Sequence, residues 1–229
     1  MTSGVQGITE TDIANYLANT PGFFERHAEL LGSVQLTSPH GQRAVSLQER
    51  QMEMLRDKIR GLEGKIIEMI RHGQDNVSIA DRLHRWTRTL MLVPQAGELP
   101  GVLVRELMHQ FMIPQAGIRV WGAAAEHAAL DFARPVGDDM KIFAGSLTLP
   151  YCGVNSGFEA AQWLEDAPSA KSMALIPLRP ATAEGGAFGM LVLASPDPTR
   201  YTADMGTEFL VRIGEIASAA LARVLPARS

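Results

Sequence analysis

Residues 45–91, VSLQERQMEMLRDKIRGLEGKIIEMIRHGQDNVSIADRLHRWTRTLM, decide how this chain is built. With Met52 at position a of a heptad, Leu55, Ile59, Leu62, Ile66 and Met69 fall on d, a, d, a and d, and Val45 extends the series backwards. A seam this narrow needs a second helix against it, which predicts a dimer. In a parallel pair Lys58 at g meets Glu63 at the partner's next e, whereas Gln51 meets Arg56 without attraction. An antiparallel hairpin within one chain would satisfy the same seam. Gly61 and Gly64 sit outward at c and f, where each costs roughly 1 kcal/mol of helix propensity.

The seam fails at Gly73 and Asn76. Apolar positions then resume, on a slightly shifted phase, as Val77, Ala80, Leu83, Thr87 and Leu90. That change predicts a helix passing from a coil partner into a domain core. Near-continuous helix over 45–91 would run about 70 Å at 1.5 Å per residue, more than a domain of this size covers. The chain therefore divides into short helices and a connector over 1–44, a coiled-coil dimerisation helix over 45–76, and an α+β domain over 77–229.

Composition supports that division. The chain has 229 residues, 46% of them apolar, enough for one ordinary domain and an appendage. Its net charge of −4 argues against a protein built to coat nucleic acid. Ten Lys and Arg against seven Asp and Glu between Arg43 and Arg88 make the long helix mildly basic. The single cysteine, Cys152, excludes an intrachain disulfide and an all-cysteine metal site. No leader pattern opens the sequence, and the apolar run 209–225 is interrupted by Arg212, Glu215 and Arg223. The expected location is cytoplasmic, without membrane contact.

Thr9 is placed to cap a first helix through Ile13, Tyr16 and Leu17, and a second helix runs from Pro21 and Gly22 to Leu31. Ser46 with Glu49 forms a capping-box pattern at the start of the long helix. Pro100 opens another helix, ended near Pro114. Residues 118–122 read as a strand with 130–134 as its hairpin mate, 138–144 as a helical turn, and 147–152 as a short edge strand because Pro150 cannot donate to a ladder. A short helix over 158–164 follows, then strands at 172–178 and 187–194 around the turn at Gly185 and Gly186. The chain closes with an amphipathic helix over 204–225.

The closing pattern, SMALIPL at 172–178, a turn, AFGMLVLA at 187–194, a polar loop with Tyr201 and a last helix, resembles the second half of a GAF domain. The opening, PGFFERHAELL at 21–31 and AVSLQERQ at 44–51, resembles the bacterial family called domain of unknown function 484. That resemblance implies an N-terminal helical region followed by a GAF-like domain, an antiparallel sheet flanked by helices. It also implies a small-molecule pocket between the sheet and the short helices of the middle segment. It implies no reaction, and fold alone does not decide what such a domain binds.

Trp121, Phe143, Tyr151, Phe158 and Trp163, with Cys152 among them, come from the segment that would wall such a pocket. Large aromatics suit a small ligand and suit an ordinary core equally well. Cys152 lacks a sequence neighbour that would lower its pKa and lacks a resolving thiol, so it reads as a buried inert cysteine. His27, His40, His72, His84, His109 and His127 show no metal-ligand spacing, and no metal is expected. His109 alone is expected to face a domain interior, as a hydrogen-bonded structural residue. Arg82, Arg85 and Arg88 beside Trp86 form a basic segment, read as a solvated face with Trp86 packed inward. The residues point to a noncatalytic homodimeric module that senses an unidentified small molecule, with no cofactor identified, and signals to a protein partner. The alternatives are a scaffolding dimer without ligand and, less favoured, a nucleic-acid-associated protein.

Overall fold

The computed structural model describes residues 8–33, 47–180 and 186–226. It divides into two compact units, Met1–Gly64 and Lys65–Ser229.

In the first unit, Thr9 caps helix α1 (Glu10–Asn19). Its hydroxyl accepts from Asp12 N at 3.2 Å, and the Asp12 carboxylate accepts from Thr9 N at 2.9 Å. This reciprocal pair satisfies two donors that a helix start leaves open. The single helix expected after Pro21 is two, α2 (Phe23–Arg26) and α3 (Ala28–Ser33), because His27 leaves helical geometry at φ −124°. Phe23 meets Tyr16 edge-on at 5.9 Å and Phe24 at 5.3 Å. No residue of α1 or α2 is buried, so these aromatics hold a local cluster rather than a core.

Helix α4 (Leu47–Met91) is continuous over 45 residues. Val45 and the capping box at Ser46 lie outside the described residues. Met52, Leu55, Ile59, Leu62, Ile66 and Met69 are between 51% and 67% exposed, so no part of the described chain covers the seam.

The second unit has the α+β architecture expected of a GAF-like domain: a four-stranded antiparallel sheet of β1 (Gln115–Val120), β2 (Tyr151–Val154), β3 (Ser172–Leu178) and β4 (Gly189–Ser195) in the order β1-β4-β3-β2. Ile118 pairs with Leu191, Ile176 with Leu191, and Cys152 with Ala174. Because side chains alternate along a strand, one face presents Ile118, Val120, Cys152, Ile176, Leu178 and Leu193. Against it lie the end of α4, helix α5 (Leu99–Phe111) and helix α7 (Glu208–Leu221). The other face presents Met173, Leu175, Met190 and Val192 to helix α6 (Asp138–Ser146) and the 3₁₀ helix Glu159–Trp163.

The hairpin expected between 118–122 and 130–134 is not formed. Residues 130–134 contain the 3₁₀ turn Asp131–Ala133, and β1 pairs with β4 instead. The longer apolar run of β4, buried at every position, offers more surface than a segment whose apolar alternation is only Leu130 and Phe132. The edge strand begins at Tyr151, one residue after Pro150 rather than across it. The last helix is shorter than expected: Gly206 precedes its start, and Ala222–Val224 tighten into 3₁₀.

Two contacts lock the helices onto the sheet. Trp86 is fully buried and its indole Nε1 donates to the Leu103 carbonyl at 3.1 Å. A Cβ at Gly214 of α7 would lie 2.8 Å from Ile176 Cγ2, so only glycine lets α7 approach β3 this closely. Gly214→Val should cost about 1–3 kcal/mol through overpacking, read as a lowered urea midpoint. Gly145→Ala, with open space around the added carbon, should not lower it.

Candidate functional site

The aromatics proposed as a pocket wall gather on the α6 side of the sheet, and they pack there. Phe158 meets Tyr151 at 5.1 Å and Phe143 at 5.7 Å between ring centroids. Trp121 Nε1 donates to the Ala187 carbonyl, anchoring its ring beside β4. These three, with Trp121 and Trp163, are half-buried against Met140, Ala160, Met173 and Met190. Cys152 does not join them. Its strand alternation turns it to the opposite face, among the α5 and α7 contacts. Among the described residues, Trp121, Phe143, Tyr151, Cys152 and Phe158 line none of the four clefts of about 300, about 310, about 380 and about 660 Å³ that stand out on this unit.

Cys152 is buried, and that burial pushes its thiol above the ordinary value. A thiol held neutral is a poor nucleophile. His109 is exposed on α5, contrary to expectation, since Leu103 and Leu107 take the inward positions of that helix. Among the described residues the buried histidine is His127. Its Nε2 lies 3.3 Å from Glu126 Oε1 but without the alignment of a hydrogen bond. Among the described residues no cluster of three or more His, Cys, Asp or Glu is placed to hold a metal ion, and no helix is long and apolar enough to cross a membrane. Of the basic segment, Arg82 donates to the Gln110 carbonyl at 3.4 Å and Arg85 to the Gln110 side chain at 3.3 Å. These contacts tie α4 to the end of α5 as well as presenting charge.

A site that the sequence did not announce lies at the free edge of β1. Arg119 is nearly buried there. One guanidinium nitrogen donates to the Ile118 carbonyl at 3.0 Å and to Asp131 Oδ2 at 3.1 Å, and the group lies 5.8 Å from the Trp163 ring centre. Arg134 holds the other Asp131 oxygen at 2.9 Å. A cleft of about 310 Å³ opens beside this group, lined by Gly101, Arg119, Asp131, Phe132 and Trp163 among others. The only trace in the sequence is one charge between Ile118 and Val120.

A second feature is the groove of about 660 Å³ between α4 and α7, bounded by Ala80 and Leu83 on one side and Phe209 and Ile216 on the other.

The family model described as "Protein of unknown function, DUF484" matches residues 2–226. No curated protein matches the sequence. Among solved structures, the chain is similar to a GAF domain from Pseudomonas syringae pv. tomato at 17% identity, with 67% of this chain and 92% of that one covered and a TM-score of 0.45. It is similar to the GAF domain of a phosphoenolpyruvate-protein phosphotransferase from Coxiella burnetii at 13% identity, with 64% and 94% covered and a TM-score of 0.44. The corresponding domain from Acinetobacter gives 14% identity, 62% and 92% covered, and a TM-score of 0.44.

Burial of Cys152 sets a pH dependence. The folded chain favours the neutral thiol, so this contribution to stability is complete below the ordinary thiol range. It is lost as pH rises through that range toward the higher folded value. Urea midpoints should therefore fall between about pH 7 and about pH 10, and the fall should shrink in Cys152→Ala. An aromatic disulfide reagent should label the folded thiol far more slowly than the unfolded one.

Proposed function

Because the chain belongs to the family described as protein of unknown function, DUF484, we propose its role from its own residues: a noncatalytic, homodimeric regulatory module of the cytoplasm. Two copies pair along α4, and the GAF-like head reads a small molecule and signals to a protein partner. The observation that carries this reading is the exposed a and d stripe from Met52 to Met69 on a helix that elsewhere buries Trp86 and Leu90 completely or nearly so. Six large apolar side chains at heptad spacing are costly to leave in water, at about 25 cal/mol per Å², and a second seam relieves that cost.

The small-molecule half rests on the β1-edge cleft rather than on the aromatic face. Arg119 turns one nitrogen to Asp131 and Ile118, so its remaining N–H donors favour an anionic group, a carboxylate or phosphate, in a space of about 310 Å³. The noncatalytic reading is supported by the neutral, buried state of Cys152. One observation favours the scaffolding alternative: the aromatic face is filled by the protein's own side chains.

Sedimentation of the full chain at micromolar concentration should give a dimer, and Ile59→Glu with Leu62→Glu should give a monomer of unchanged helix content. A compact single-copy wild-type particle would end the dimer reading. In thermal melts against carboxylate and phosphate metabolites, a ligand at 100 times its Kd should add about 2.7 kcal/mol. Gly101→Trp, which fills the cleft from a position with open space around it, should abolish that shift. No shift with any compound would leave the scaffolding dimer.

A further inference from the structure

The cleft at the edge of β1 has a wall of uneven chemistry. Pro100, Val104, Leu130, Phe132 and Trp163 give it an apolar lining, and among the described residues on that wall only Arg119 and Asp131 carry charge. The two are unequally placed: the side chain of Arg119 is 10% exposed and that of Asp131 is 66% exposed. A nearly buried cation thus meets an anion on the solvent side of the space.

Arg119 spends one nitrogen, Nη1, on both of its bonds, to the Ile118 carbonyl at 3.0 Å and to Asp131 Oδ2 at 3.1 Å. Its Nε and Nη2 have no acceptor among the described residues. A guanidinium with its Nε and Nη2 edge open takes an oxyanion through two parallel hydrogen bonds. That edge fixes the ligand as an oxyanion, and the surroundings fix how much charge the oxyanion carries.

Asp131 already offsets part of the Arg119 charge, and its other oxygen is held by Arg134 at 2.9 Å, outside the cleft wall. A first negative charge on the ligand is met by Arg119. A second would sit beside the Asp131 carboxylate in a space walled by carbon, where an unmatched charge is costly. The same wall turns away an ammonium group, because each oxygen of its one carboxylate is already on a guanidinium. The volume of about 310 Å³ lies at the small end of ligand sites, which run from about 300 to about 1,000 Å³, so it suits one ring or a short branched chain.

We propose that this cleft selects a small apolar molecule with a single negative charge, a monocarboxylate, and that Asp131 is the residue that sets the limit at one charge. This rests on the reading of the cleft as the small-molecule site and narrows its ligand from anions in general. Asp131 and Phe132 both come from the 3₁₀ turn that stands where a hairpin strand was expected, so the turn supplies the selecting charge and part of the apolar wall.

Phenyl sulfate and phenyl phosphate share a shape and differ by close to one charge at about pH 7.5, since the second pKa of a phosphate is about 6. Titration calorimetry of the full chain should show phenyl sulfate and phenylacetate binding, with phenyl phosphate and phenylalanine weaker by about tenfold or more. Asp131→Asn keeps an oxygen for Arg119 and removes the charge, so the preference for phenyl sulfate over phenyl phosphate should shrink about tenfold. Gly101→Trp should abolish binding of both sulfate and carboxylate. If the wild type binds phenyl phosphate as tightly as phenyl sulfate, the one-charge limit is wrong and the cleft remains an anion site; this comparison decides the class whether or not Asp131→Asn folds. An unchanged preference in a folded Asp131→Asn would overturn the assignment to Asp131. If none of the four compounds binds at millimolar concentration, or binding persists in Gly101→Trp, the reading of the cleft as the ligand site falls and the selection falls with it.

Discussion

The buried indole of Trp86, with its N–H on the Leu103 carbonyl, governs much of what the rest of α4 can do. A helix has one rotation about its axis, and pinning one large side chain fixes which residues face inward for several turns on either side. With Trp86 and Leu90 committed to the sheet-side core and Leu83 packed against its margin, Ala80, His84 and Thr87 are left bordering open space. The hydrogen bond is worth about 1 kcal/mol, small beside the area buried. It adds direction, since a hydrophobic contact alone would tolerate a few degrees of roll.

The two faces of the sheet have been put to different uses. The face toward α5 and α7 is uniformly apolar and takes in the one cysteine. The face toward α6 carries the aromatics, and the residues between them are Met, Ala and Val of modest size, which lets the rings interlock. Polar chemistry has been pushed to the rim, where Arg119, Asp131 and Arg134 form a chain of charges around the end of β1. A charged residue in the centre of either layer would need a partner there; at the rim, water supplies part of the solvation.

Much of this architecture was legible beforehand, and the failures share a cause. Strands at 172–178 and 187–194 and the last helix carry strong periodicity, so they were readable. Residues 130–134 were misassigned because pairing is a property of the whole sheet: β4, seventy residues further on, competes for β1 and wins. Cys152 stood among the candidate wall residues because it adjoins Tyr151, yet neighbours in a strand face opposite ways. Arg119 left no pattern at all.

The edge of β1 has one more consequence. An open strand edge is a template for another strand, and sheets left bare there grow into stacked aggregates. Here the guanidinium of Arg119 occupies the outward Ile118 carbonyl, and the main chain of Trp163 lies so close to Gly117 that an added Cβ would sit 3.0 Å from its carbonyl oxygen, tighter than ordinary contact. The opposite border, β2, is only four residues long. Strand addition, which has no natural stopping point, is thereby blunted at both borders of the sheet.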